Sequence, residues 1–464
     1  MIDLFKKKVL VVGLGMTGVS TARFLVNQGA FVTVTDMAKE DELGDSVAII
    51  RELGINMELG GHRNTTFENA ELIVLSPGVP HAISPIQGAR DKGIKVLGEI
   101  ELATKFIDQP VIAITGTNGK TTTTTLLGEM LKSSGLNVFV GGNIGSSLIG
   151  YVDRKKKAEI IVLEVSSFQL DTIKSFRPKV SVLLNITKDH LDRYPDFNAY
   201  AKSKCRIFEN QDNTDIAVLN GFDPSIRKCT DNISSRKLFF ASRQENEEGA
   251  TVNGKNINIF FKNSFKTKGP ITIDFTNTEI KGKHDIENAC AACLAALSAG
   301  GTRKGLQTAL NSFKGLSHRL EYVSTVNDVE YFNDSKATNV DAVVRALEYF
   351  SGRVILIMGG RSKEADFNSL RGTVRHLAKM IIALGESKEK IISSLNDIVP
   401  VKTASTMKDA VFIACEKAKP GDVVLLSPAC SSFDMYEDYA HRGNVFCEAV
   451  KSLKKIGENA CERG

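Results

Sequence analysis

Val111-Ile112-Ala113-Ile114 runs straight into Thr115-Gly116-Thr117-Asn118-Gly119-Lys120-Thr121-Thr122, and this junction narrows the possible folds more than any other stretch. An unbroken apolar run rich in β-branched residues predicts a strand buried on both faces, as in parallel sheets covered by helices. The glycines let the backbone turn tightly before a helix begins. Successive N–H groups in such a loop make an anion nest, Lys120 can reach the β- and γ-phosphates of ATP, and the Thr121 hydroxyl can ligate Mg²⁺. Ile114 stands where the general phosphate-loop pattern wants its first glycine, so this is a shortened form.

A chain of 464 residues exceeds the ~250–300 that one hydrophobic core supports. The alternation of short apolar strands with helix-length spacers divides it into three α/β units in series, 1–98, 99–315 and 316–464. Strands are predicted at Val9–Val12, Phe31–Thr35, Leu72–Leu75 and Lys95–Leu97 in the first unit. The second adds Val138–Val140, Ile160–Leu163 and Val180–Leu184, an antiparallel insertion around Gly254 to Phe275, and a closing helix from His284 to Leu297. The third has Val354–Met358, Met380–Leu384 and Val423–Leu426.

The net charge of +5 is spread along the chain, and the runs Lys6–Lys8 and Arg154–Lys157 read as solvated faces, so no nucleic-acid partner is expected. No apolar stretch reaches the ~18 residues that span a bilayer, and the N-terminal apolar run is too short for a signal peptide. A cytoplasmic monomer without a membrane partner is expected. The cysteines are irregularly placed and do not make a disulfide framework. Cys290 and Cys293 lie in an Ala-rich run that reads as a buried helix face.

A second glycine loop, Gly13-Leu14-Gly15-Met16-Thr17-Gly18, also follows a strand and opens a helix. Gly13 suits the tight turn, Gly15 the approach of a pyrophosphate, and Gly18 the close packing of helix on strand. Asp36, at the end of the next strand, stands where a ribose or base contact is expected. Alone, this loop would suggest NAD or FAD. Ile160-Ile161-Val162-Leu163-Glu164 delivers a carboxylate at a strand end, the arrangement that holds Mg²⁺ beside a phosphate loop. His190 follows a further strand and is a candidate ligand for a second metal.

Together these residues resemble the Mur ligases, ATP-dependent amide-forming enzymes, over nearly the whole chain. G-T-N-G-K-T is the loop used by these and by the folylpolyglutamate ligases, which lack the N-terminal glycine-loop domain. The resemblance continues through Ser76-Pro77-Gly78, Gly141–Gly145, Asp189-His190, Asn288 and His318-Arg319. Asn333–Asn339 and Leu426–Asp434 are similar to the branch that adds D-glutamate. Neither the Asp-Asn-Pro-Arg motif of the diaminopimelate- or lysine-adding branch nor the Asp-Asp-Tyr-(Ala/Gly)-His-His run of the L-alanine-adding branch is present.

The resemblance implies an N-terminal Rossmann-like parallel sheet, a central P-loop-type ATPase domain and a C-terminal Rossmann-like domain. It implies a ligase that joins D-glutamate to UDP-N-acetylmuramoyl-L-alanine through an acyl phosphate, in peptidoglycan precursor synthesis. Gly15, Thr17, Asp36 and Ser76 would then serve the UDP end, and Asn143, Ser166 and Gln169 the muramoyl peptide. Gly116, Thr117, Asn118, Gly119, Lys120, Thr121 and Thr122, with Asn288, Arg319, Asp334 and Lys336, would grip ATP. One Mg²⁺ would rest on Thr121 and Glu164, a second on His190 and Lys204. An ammonium has no acceptor and Mg²⁺ prefers oxygen ligands, so Lys204 would serve as a carbamate. Lys120, His190 and Lys204 carry the chemistry in this reading. Thr338, Lys363, Ser432, Phe433 and Tyr439 would receive D-glutamate. The chain departs from its relatives at Met37-Ala38, where they carry a polar residue and an arginine for the uracil; Asp36 and Lys39 remain. Two alternatives stay open: another amino-acid ligase of the family, and an NAD-dependent oxidoreductase, which leaves Lys120 and Glu164 unexplained.

Overall fold

The computed structural model describes residues 2–154, 157–241, 248–262, 270–280, 282–362 and 365–461. Among these, the strands form three sheets. The first contains β1 (Lys8–Val12), β2 (Phe31–Thr35), β3 (Asn56–Glu58), β4 (Leu72–Leu75) and β5 (Lys95–Gly98), all parallel, in the order β3-β2-β1-β4-β5. The chain winds outward from β1 in one direction, then from β4 in the other. A crevice therefore opens beyond the carboxyl ends of β1 and β4, the place where α/β sheets take ligands.

The second sheet contains β6 (Val111–Thr115), β7 (Val138–Gly142), β8 (Ile160–Glu164), β9 (Val180–Leu183), β10 (Ile216–Asn220), β11 (Arg236–Phe240), β12 (Gly249–Asn253), β13 (Asn256–Phe260) and β14 (Ile271–Asp274). Its order is β14-β13-β12-β11-β10-β9-β6-β8-β7. Every β6 side chain is buried, because strands flank it on both sides and helices cover both faces. The expected antiparallel segment is the β12–β13–β14 meander at one edge. The helix Lys283–Ser298 buries Cys290 and Cys293 completely, and burial pushes the Cys290 thiol up to about 12.

The third sheet contains β15 (Glu321–Val326), β16 (Val329–Asn333), β17 (Val354–Gly359), β18 (Ala378–Leu384), β19 (Val401–Thr403) and β20 (Val423–Leu426), in the order β15-β16-β20-β17-β18-β19. It is mixed: β15 runs antiparallel to β16, and the remaining pairs are parallel. The first two sheets lie in one compact unit (Met1–Ile186, Asn198–Asn277, Glu287–Ser312) and the third in another (Thr187–Phe197, Thr278–Ile286, Phe313–Gly464).

Among the described residues one pair of cysteines is bonded, which falls short of a framework. Cys205 and Cys229, on the helices Phe197–Cys205 and Pro224–Thr230, are joined by a disulfide. Their spacing carries no motif, and only the tertiary fold brings them together. No helix among the described residues is long and apolar enough to cross a membrane.

Candidate active site

The phosphate loop leaves the end of β6 between two neighbouring strand ends. Ile114 pairs with Glu164 of β8, and Thr115 with Leu183 of β9. Gly116 (φ +153°) and Gly119 (φ +84°) supply the backbone conformations that side chains resist. A Cβ at Gly119 would lie 2.4 Å from the Asn288 Oδ1, so Asn288 is packed directly against the loop. Asn185, just past β9, clamps it from the other side. Its Oδ1 accepts from Asn118 N–H (2.8 Å), its Nδ2 donates to Asn118 O (3.0 Å), and its own carbonyl accepts from Thr117 N–H (2.9 Å). The sequence reading assigned Asn185 no role.

Two lysines converge on this loop. Lys120 Nζ donates to the carbonyls of Gly116 (2.9 Å) and Thr117 (2.8 Å), and Lys204 Nζ donates to the same Gly116 carbonyl (2.9 Å). Lys204 is only 2% exposed, and its ammonium lies over the Tyr200 ring. The Tyr200 hydroxyl in turn shares a hydrogen bond with Thr117 Oγ1. Thr121 and Thr122 open the helix Lys120–Ser133.

Glu164 offers a test of whether a metal fits here. Its Oε1 accepts from Asn143 Nδ2 (2.9 Å), while its Oε2 is fully buried without a hydrogen-bond partner. A buried carboxylate oxygen left unpaired is costly, and a hard cation beside the phosphate loop would satisfy it. Gly142 (φ +101°) and Asn143 wrap the end of β8, with Asn143 N–H donating to the Glu164 carbonyl. Among the described residues no three His, Cys, Asp or Glu side chains form a metal centre of their own.

A cavity of about 850 Å³ runs from the first glycine loop to the β7 end, lined by Gly13–Thr17, Asp36, Met37, His62, Ser76, Asn143 and Gln169 among others. A Cβ on Gly18 would sit 2.0 Å from the Gly13 carbonyl, so the close packing read from the sequence is required. Ser76 Oγ donates to that carbonyl (2.8 Å). Asp36 accepts from Leu14 N–H (2.6 Å) and Ala38 N–H (2.9 Å); it shapes the loop as well as facing the cavity. Ser166 and Gln169 form a capping box at the helix Ser167–Leu170.

In the other unit, β16 and β20 lie side by side and release their motifs at the same end, with Asn333 level with Leu426. Asp334 is buried and accepts from Ser427 Oγ (2.9 Å). Burial raises it to about 7, opposed by Ser427 and the Arg319 guanidinium. Lys336 Nζ lies 5.0 Å from the Tyr439 ring centroid. Ser432 is buried, Phe433 is exposed, and Thr338 is half-buried. Arg442, 1% exposed, ties the two motifs together by donating to Ser335 Oγ, Ser335 O and Cys430 O. It went unnoticed in the sequence, where it is one more charge on a terminal helix. His190 has φ +54° beside Asp189, whose Oδ2 accepts from Asn339 Nδ2 (3.1 Å). Lys363 lies outside the described residues.

Residues 7–98 match the MurD-like N-terminal domain of Mur ligases, 114–296 the Mur ligase middle domain, and 318–430 the Mur ligase glutamate ligase domain. The UDP-N-acetylmuramoylalanine–D-glutamate ligase of Desulfosudis oleivorans is 52% identical over 459 residues, 99% of each chain. The chain belongs to the Mur ligase family. Another ligase of the same name, from Desulfatibacillum aliphaticivorans, is 48% identical across 97% of this chain and 99% of its own. Among solved structures, the fold of this Mur ligase is similar to a pseudomurein peptide ligase type C from Methanothermus fervidus (TM-score 0.62, 21% identity, 96% and 100% of the two chains). It is also similar to the MurF ligase of Thermotoga maritima in complex with ADP (TM-score 0.60, 18% identity, 98% and 100%).

Proposed function

We infer that this Mur ligase joins D-glutamate to UDP-N-acetylmuramoyl-L-alanine, with ATP converted to ADP and phosphate, in peptidoglycan precursor synthesis. The observation that carries the reading is full-length identity of about half to ligases of that name, together with an intact phosphate loop flanked by Lys120, Lys204 and Glu164. A carboxylate and an amine do not condense in water, so the L-alanyl carboxylate takes the γ-phosphoryl group and becomes an acyl phosphate. The D-glutamate amine attacks its carbonyl carbon, and the tetrahedral intermediate collapses with loss of phosphate and of the amine proton. The protein's share is positioning and charge neutralisation.

In this reading, Lys120 leaves its loop carbonyls to meet the β- and γ-phosphates, and Asn288 with Arg319, Asp334 and Lys336 holds the rest of the nucleotide. Thr121 and the unpaired Glu164 Oε2 are the candidate protein ligands for Mg²⁺. Bound there, the ion would offset negative charge on the transferring phosphoryl. Family resemblance nominates His190 and a carbamylated Lys204 for a second ion. The deep burial of Lys204 beside the loop supports choosing it over Lys202, which is exposed. ¹³C-bicarbonate labelling should give a carbamate resonance that is lost in Lys204→Ala. Thr338, Lys363, Ser432, Phe433 and Tyr439 are the candidates for D-glutamate, and the first cavity for the UDP end. Domain limits of 1–98, 99–315 and 316–464 belong to the same proposal, as does a cytoplasmic location.

The decisive experiment supplies ATP, Mg²⁺ and UDP-N-acetylmuramoyl-L-alanine and compares candidate amino acids by product mass. D-glutamate should be joined and L-glutamate used poorly. Equal use of L-glutamate, L-alanine or a diamino acid would overturn the assignment.

A further inference from the structure

The cavity beside the first glycine loop has a departure at its base end, since Met37 and Ala38 offer no polar side chain to a nucleobase. A different element supplies one. The loop after β3 is zipped onto the loop after β2: Gly60 N–H donates to Ala38 O (2.8 Å) and Gly61 N–H to Asp36 O (3.2 Å). Gly60 (φ +75°) and Gly61 (φ +151°) permit that approach, and the next residue, His62, is thereby set into the cavity wall next to Asp36 and Met37.

The ring of His62 is held firmly. It meets the fully buried Phe67 edge to face at 5.6 Å, and its Nδ1 lies 2.9 Å from Thr35 Oγ1. A hydroxyl has one proton, and that of Thr35 is directed to Gly61 O (3.3 Å). With the hydroxyl proton on Gly61 O, the hydroxyl oxygen accepts from Nδ1–H and Nε2 carries the lone pair; this is the tautomer on which the proposal rests. Burial lowers the His62 pKa, partly opposed by the Asp36 carboxylate, so the neutral ring is favoured near neutral pH. Met37, 65% exposed, adds an apolar surface beside it.

We propose that His62 is the residue that reads the pyrimidine of the nucleotide-linked substrate, its Nε2 accepting a hydrogen bond from the uracil N3–H. The proposal rests on reading this cavity as the UDP site. It would give base selectivity to a chain that has Met37-Ala38 at this end of the cavity. Cytosine carries a lone pair at N3 in place of that N–H, so lone pair would face lone pair. A site built to pair with a donor rejects the analogue lacking it.

The test is competition by free UDP and free CDP against UDP-N-acetylmuramoyl-L-alanine, with wild type, His62→Ala and His62→Gln. Wild type should bind UDP about 10-fold more tightly than CDP, and His62→Ala should bring UDP down to the CDP level. His62→Gln, whose amide oxygen can accept, should regain part of the preference. In both variants kcat and the KM for ATP should stay at wild-type values, whereas a merely structural loss would weaken UDP and CDP alike. An undiminished UDP preference in His62→Ala overturns the proposal, as does equal weakening of UDP and CDP. If neither nucleotide competes in wild type, the reading of the cavity as a UDP site fails first.

Discussion

Both glycine loops leave a buried parallel strand and open a helix, yet Gly13–Gly18 is braced by a carboxylate and Gly116–Gly119 by an amide and two ammonium groups. Asp36 spends negative charge at the mouth of the first loop, which suits neutral hydrogen-bond donors such as ribose hydroxyls or a base N–H. Asn185 is neutral and adds no charge to the second, where Lys120 supplies the positive charge that suits phosphates, and Glu164 and a carbamylated Lys204 would serve the metal. On the proposed function, the first loop would recognise and the second would neutralise charge during the reaction. The glycine spacing alone does not distinguish them; the side chains that brace each loop do.

The comparison breaks most visibly at Lys204. Lys204→Ala should lower turnover by about 10³-fold, roughly 4 kcal/mol of transition-state stabilisation, while exposed Lys202→Ala stays near wild type. Acetate or formate should restore part of the Lys204→Ala activity by occupying the ligand position. Full activity without either additive would remove Lys204 from the chemistry. Next in size, Lys120→Ala should cost about 10²-fold in kcat, with the KM for the UDP-substrate unchanged. Activity within a few-fold of wild type would mean that the second loop does not hold the reacting phosphates.

Gly18→Ala probes the first loop with a smaller effect. The new Cβ would overlap the Gly13 carbonyl, and the resulting shift should raise the KM for the UDP-substrate about 10-fold, within the ~1–3 kcal/mol range of overpacking. The KM for ATP should not move. A parallel rise in both KM values would show that the loops are not independent.

The central strands were legible because β6, β8 and β20 are unbroken apolar runs, a pattern that burial on both faces demands. β3 and β19 were not: each is a three-residue edge strand without a fully buried position, so packing imposes no pattern on it. β10 is apolar but sits where the sequence turns polar on either side, and β11 opens with Arg236-Lys237 and buries only Leu238 and Phe240, so neither stands out as a strand. The same divide runs through the candidate site. Lys120, Glu164 and Asp36 stand at strand or helix ends within recognisable motifs. Asn185, Arg442 and His62 are isolated polar residues whose positions depend on contacts with distant segments, and local sequence carries no trace of those contacts. The bond between Cys205 and Cys229 belongs with them.

Lys120 rests on two carbonyls of its own loop, so on the proposed function a nucleotide phosphate would compete with these internal contacts for the ammonium. A calorimeter would record the difference between these two sets of hydrogen bonds, not the full strength of the lysine–phosphate contact. Affinity for nucleotide analogues would then understate how tightly the loop grips during turnover. An inhibitor that leaves Lys120 where it rests, reaching past it to Thr121 and Glu164, would avoid that exchange altogether.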